Sequence, residues 1–184
     1  RPDAVILAVG APAILPEIPG LKASAGVTAE QVLNGSVKIT GQDVVVIGGG
    51  TTGCEVASYL ADHHNRITLV EREGQLARGM ENMNRLALLA GLKGKGVSLK
   101  TSCTVETVDE DQVTVNNNGE KEVLTARKVV LACGYQSDRT LYHELKDKVK
   151  LLYLIGDAAS ARDIKSAIYE GAMAAARISA DIQR

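Results

Sequence analysis

The chain has 184 residues, 45% of them hydrophobic, with 21 basic against 22 acidic side chains and a formal net charge of -1. That balance supplies no basic surface for nucleic acid, and no apolar run approaches the ~20 residues of a membrane-crossing helix, so both partners are argued against. Cys54, Cys103 and Cys133 are odd in number, far apart and without Cys-x-x-Cys spacing. They write neither a disulfide framework nor a zinc knuckle and fit a reducing cytoplasm.

With 18 Gly but no Trp or Phe, the core must come from Val, Ile, Leu and Ala, the mix common in parallel sheets covered by helices. The chain begins at Arg1 and enters a buried-looking strand at once, around Ala4 to Ala8, with no signal-peptide pattern before it. A piece of a longer polypeptide is the expectation. Pro12, Pro16 and Pro19 then preclude regular structure. Thr28 with Gln31 three residues on forms a capping box for a short helix ending near Asn34-Gly35, and a boundary is expected at 36 to 42. From Asp43 a β-branched run, a glycine turn, a helical pattern from Cys54 and the strand RITLVE make a βαβ unit of about thirty residues. A helix is predicted over 82 to 92. The segments VSLKT, TVETV, QVTVN and EVLTA follow as short strands, expected to be antiparallel. Lys128 to Ala132 is a buried strand ending at Gly134, an echo of the opening VILAVG. Helix over 140 to 148, strand over 151 to 156 and a long helix over 163 to 182 complete the chain.

The strongest chemical signal is Gly48-Gly49-Gly50-Thr51-Thr52-Gly53, a G-x-G-x-x-G directly after a strand and directly before a helix. Gly48 allows the tight turn, Gly50 lets backbone approach a pyrophosphate, and Gly53 lets helix and strand pack closely. Free N–H groups and the helix dipole meet phosphate charge there. Glu71, eighteen positions after Gly53, stands at the end of the second strand, where an acid accepts hydrogen bonds from the adenosine ribose and repels a 2′-phosphate. NADH is therefore favoured over NADPH, with Arg72 as the side chain that would accommodate a phosphate. Glu55 either caps free N–H groups of the helix or reaches toward the nicotinamide carboxamide. Asp157, after Gly156, stands where a polyol or phosphate can be held, or is an N-cap. No third ligand with metal spacing accompanies His63, His64 or His143, and no thiol is given a redox role.

Taken together, DAVILAVG at 3 to 10, VVVIGGGTTGCEVASYL at 44 to 60, NRLALLAGL at 84 to 92, VVLACGY at 129 to 135 and LYLIGDA at 152 to 158 resemble the two-dinucleotide flavoprotein reductases. Within them the chain is similar to the NADH:flavin oxidoreductases of the 2-enoate reductase and 2,4-dienoyl-CoA reductase type. The resemblance implies an α/β fold in which a Rossmann-like NAD(H) domain, 41 to 134, is inserted in the remainder of a truncated FAD-binding Rossmann-like domain, 1 to 38 and 135 to 184. It places Ala8 and Gly10 near FAD, Gly134 near the nicotinamide nucleotide, and the Asp157 carboxylate on the flavin ribityl chain. FMN, an iron-sulfur cluster and a barrel domain are implied only for upstream sequence. The implied reaction passes hydride from NADH to FAD for reduction of an activated C=C bond elsewhere in the parent enzyme. The chain departs from the family in lacking a second G-x-G-x-x-G near its start, so FAD retention by these residues alone is not expected. A disulfide-reductase-like or amine-dehydrogenase-like fragment, and a non-catalytic nucleotide-binding domain, are the competing readings.

Overall fold

In the computed structural model, which describes residues 2–21 and 26–182, the elements run β1 (Val5–Leu7), β2 (Gly26–Thr28), α1 (Ala29–Leu33), β3 (Asp43–Ile47), α2 (Thr51–Asp62), β4 (Arg66–Val70) and α3 (Asn82–Gly94). They continue with β5 (Ser98–Lys100), β6 (Cys103–Val108), β7 (Gln112–Asn117), β8 (Glu120–Thr125), β9 (Lys128–Leu131), α4 (Thr140–Leu145), β10 (Leu152–Leu154) and α5 (Ile164–Ile182). Two compact units result, Ala13–Gly134 and Arg1–Pro12 with Tyr135–Arg184.

In the unit Ala13–Gly134 the parallel strands β2, β9, β3, β4 and β5 lie side by side in that order. The central strand β3 is apolar at four consecutive positions because both its faces are covered. Val44 and Val46 pack on the helix side with Val56, Ala57, Leu60 and Leu92. Val45 and Ile47, pointing the other way by the two-residue strand period, pack with Val113, Val115 and Leu131 against the antiparallel meander β6-β7-β8. Each such side chain removed from water contributes about 1.5–3 kcal/mol. The meander turns through Asn118 (φ 53°) and Gly119 (φ 96°), both left-handed, as a two-residue type I′ hairpin loop requires.

Four sequence expectations change. The segment VSLKT is no antiparallel strand: β5 runs parallel to β4, Thr68 opposite Ser98, because α3 returns the chain to the same end of the sheet, as a crossover helix does. Helix α2 starts at Thr51, so Thr51, Thr52 and Gly53 are its first turn, with Gly50 as N-cap. Residues 13–21 and 26–38, expected with the first piece, fall in the unit of the large sheet, to which β2 contributes by pairing with β9. Helix α4 stops at Leu145, three residues short, where the charged run 144 to 150 offers no apolar stripe to bury. The Thr28–Gln31 capping box is present as expected.

The unit of Arg1–Pro12 and Tyr135–Arg184 holds β1 paired in parallel with β10, Leu7 opposite Leu154, together with α4 and α5. Ile164, Ile168 and Tyr169 of α5 stay exposed. No helix of the described residues is long and apolar enough to cross a membrane.

Candidate dinucleotide site

Because the five strands of the large sheet are parallel, the segments following β3, β4 and β9 all emerge at one edge. The chain leaves β3 toward β4 on one side and meets β9 on the other, so the strand order reverses beside β3, the place where ligands bind in open α/β sheets. The glycine turn sits there. Gly48 has φ 107°, and a Cβ on it would lie 2.3 Å from the Ala132 carbonyl oxygen. A Cβ on Gly53 would lie 1.8 Å from the Gly48 carbonyl oxygen, so α2 can approach β3 this closely only with glycine. Gly50 differs, for a Cβ there would meet nothing within 4 Å. Its flank is open, and no side chain caps α2, leaving first-turn N–H groups of Thr51 and Thr52 for an anion.

Glu71 follows β4 and folds back onto the turn. Its Oε2 accepts from Gly49 N at 2.6 Å and its Oε1 accepts from Glu73 N at 2.8 Å. The carboxylate thus braces the turn, and each oxygen retains acceptor capacity for a further donor. Arg72 points to solvent, 78% exposed, with Glu73 at 3.6 Å. Glu55 is exposed on α2 and caps nothing, which removes the capping alternative. Gly134 closes β9 in a left-handed turn, φ 93°, and its carbonyl accepts from Ile14 N at 2.9 Å.

Two buttresses of the turn carried no signal in the sequence. Leu76, buried, lies where a Gly49 side chain would go, 2.3 Å from the would-be Cβ. Ala77 is held at φ 49°, left-handed without being glycine, and its N–H donates to the Gly49 carbonyl at 2.7 Å. Nothing in the string Gln75-Leu76-Ala77-Arg78 announces that conformation, which the surrounding contacts impose. The thiols are donors here: Cys54 Sγ to Gly49 O and Cys133 Sγ to Ile47 O, both at 3.6 Å. Burial pushes the Cys54 thiol up to about 11 and raises Cys133 as well, so both stay protonated at neutral pH.

In the smaller unit the parallel pair β1 and β10 likewise ends at one edge, with Ile155 N donating to Leu7 O at 3.0 Å. Ala8 and Gly10 follow β1, and Gly156 and Asp157 follow β10, so all four lie beyond the same edge of the pair. Asp157 lies in a 3-10 turn, Gly156–Ala158. Its Oδ1 accepts from Arg162 N at 3.1 Å. The N-cap alternative is corrected: Asp163, with Oδ1 accepting from Ser166 N at 2.7 Å, serves the start of α5. Among the described residues no group of three or more His, Cys, Asp or Glu could hold a metal ion.

The chain is 35% identical over 175 residues to an NADH oxidase of Thermoanaerobacter brockii, covering 92% of this chain and 27% of that protein. It is 32% identical over 170 residues to a cinnamate reductase of Clostridium sporogenes, covering 91% and 25%. Among solved structures, a 2-naphthoyl-CoA reductase in complex with 2-naphthoyl-CoA superposes with a TM-score of 0.86 at 26% identity, over 92% of this chain and 26% of that one. The chain thus spans about a quarter of the length of these relatives. Residues 2–174 match the pyridine nucleotide-disulphide oxidoreductase family. With its Rossmann-like α/β fold and a match over nearly its whole length, the chain belongs to the pyridine nucleotide-disulphide oxidoreductases, a family of flavoproteins that bind FAD and NAD(H).

Proposed function

We propose that this chain is the nucleotide-binding portion of a flavin-dependent reductase of the NADH:flavin oxidoreductase type, related to 2-enoate and 2,4-dienoyl-CoA reductases. The observation that carries the reading is the junction of three features at one sheet edge: the open flank of Gly50, the uncapped start of α2, and the Glu71 carboxylate on Gly49 N. These residues fit a dinucleotide whose pyrophosphate meets the N–H groups and whose ribose meets Glu71. In the same reading Ala8, Gly10, Gly156 and Asp157 contribute to an FAD site, completed by sequence outside these residues. Bound at the two sites, NADH would supply a hydride and FAD would accept it.

The protein's own contribution is placement and charge. Glu71 selects a free 2′-hydroxyl by accepting from it and by repelling phosphate, while Glu73 beside Arg72 keeps that guanidinium partly neutralised. The names of the cinnamate and 2-naphthoyl-CoA reductases favour an activated C=C bond as the final acceptor; in this reading an upstream FMN barrel with an iron-sulfur cluster would reduce it. A cytoplasmic setting accords with three protonated, unpaired thiols.

Calorimetric titration with NADH and NADPH checks the nucleotide assignment. Saturable NADH binding, with NADPH weaker, is expected; Glu71→Ser weakens NADH by roughly tenfold, the loss of a charge-assisted hydrogen bond, and narrows the gap to NADPH. An unchanged preference in that variant removes Glu71 from the site, and a wild-type chain that binds neither nucleotide overturns the proposal.

A further inference from the structure

We propose that Glu170 is a positioning residue for the Asp157 carboxylate, closing a ring of hydrogen bonds that fixes the turn after β10. Glu170 lies in the second turn of α5, well separated in sequence from Gly156-Asp157, yet its carboxylate returns to that turn. Gly156 N donates to Glu170 Oε2 at 2.7 Å. The Arg162 guanidinium pairs with Glu170 Oε1. The backbone N–H of Arg162 then donates to Asp157 Oδ1 at 3.1 Å, so the ring runs from Gly156 through Glu170 and Arg162 to Asp157, the neighbour of Gly156.

The turn needs such a tether. Gly156 is left-handed at φ 63°, and residues 161–163 form no regular structure, so no ladder or helix fixes them. Ser137 supplies a second support, donating its hydroxyl to Asp157 O at 2.6 Å and accepting from Ala161 N at 3.0 Å. Ser137 touches only the backbone of Asp157, however. The side chain of Asp157 is aimed by Arg162 N, and Arg162 is aimed by Glu170. Arg162 is exposed, at 43%, and Glu170 half-buried, at 27%, and the charge on both partners makes their hydrogen bond stronger than a neutral one. The Arg162 guanidinium, and next the Gly156 N–H, hold the Glu170 carboxyl below the usual carboxylate range, so the ring is charged at neutral pH.

The consequence concerns the free oxygen. Asp157 Oδ1 is occupied by Arg162 N, while Oδ2 receives no hydrogen bond from a described residue. The ring thus presents one defined acceptor at the C-terminal edge of β1 and β10. Hydroxyls of a polyol chain are the chemical class that acceptor would take, and this part of the inference rests on the flavin reading given above.

Amide hydrogen exchange, followed by NMR on the 184-residue chain, tests the ring without any cofactor. Glu170→Ala speeds exchange at both the Gly156 and Arg162 amides by roughly tenfold, as loss of one charge-assisted hydrogen bond implies. Glu170→Gln keeps an acceptor for Gly156 but loses the charge that holds Arg162, so only the Arg162 amide speeds up. That split separates positioning from general loosening, which would also expose the amides of Val5 and Ile155 between the strands. An unchanged Arg162 amide in Glu170→Ala, or equal acceleration across the unit, overturns the proposal. A parallel FAD titration, made on the longer parent protein that completes the FAD site, uses Asp157→Ala for comparison. FAD binding that is absent, or indifferent to Asp157→Ala, sinks the flavin reading and leaves the exchange result to decide Glu170; FAD binding weakened by Asp157→Ala but not by Glu170→Ala overturns the positioning role.

Discussion

Strands β1 and β9 carry nearly the same text, Val5-Ile6-Leu7-Ala8-Val9-Gly10 and Val129-Val130-Leu131-Ala132-Cys133-Gly134, in unlike surroundings. β9 lies between β2 and β3, and Val130 and Leu131 are 0% and 3% exposed. β1 pairs with β10 alone among the described residues, leaving Ile6 43% and Val9 60% exposed. The residue pattern specifies a strand that ends in a left-handed glycine, φ 93° at Gly134 and 77° at Gly10. How much apolar area that strand removes from water is set by its neighbours, which the pattern does not contain. The same contrast separates the helices: Leu60 of α2 is 0% exposed, whereas Ile164 of α5 is 79% exposed.

Mutations at matched places put numbers on that contrast. Leu131→Ala, in the cluster with Ile47 and Val113, is expected to cost about 2–5 kcal/mol in urea unfolding followed by circular dichroism; a cost near zero would mean that the face beneath β9 is not tightly packed. Gly53→Ala comes next. A methyl 1.8 Å from the Gly48 carbonyl oxygen forces α2 away from β3, with roughly 1–3 kcal/mol lost and NADH binding weakened in the same preparation. Retained binding would show that the turn tolerates a wider gap than its geometry implies. Smallest is Ile6→Thr, expected within about 0.5 kcal/mol as a surface change. Should it cost as much as Leu131→Ala, β1 is covered in solution, and the difference between the two strands disappears.

Much of the geometry of the candidate site was legible in the sequence because its parts are local. A glycine turn needs only adjacent residues, and the strand before it and helix after it declare themselves by period. Glu71 was reachable by counting, since the helix and strand between it and Gly53 have standard lengths. The brace it forms on Gly49 N was not, because that bond spans 22 positions and depends on how β4 ends beside β3. Leu76 and Ala77 escaped for the same reason. The antiparallel expectation for VSLKT failed because short alternating strands look alike in either direction; α3, by carrying the chain back across the sheet, makes β5 parallel.

By itself, then, the sequence determined the alternation of strands and helices, the glycine turn with its free N–H groups, and an acid at the end of the next strand, all products of short-range sterics and hydrogen bonding. Only the tertiary structure decided which strands are neighbours, that β2 joins the large sheet, and that Glu170 reaches Gly156 and Arg162. Those outcomes depend on burial and on pairings between distant segments, whose free energies arise only when the segments meet.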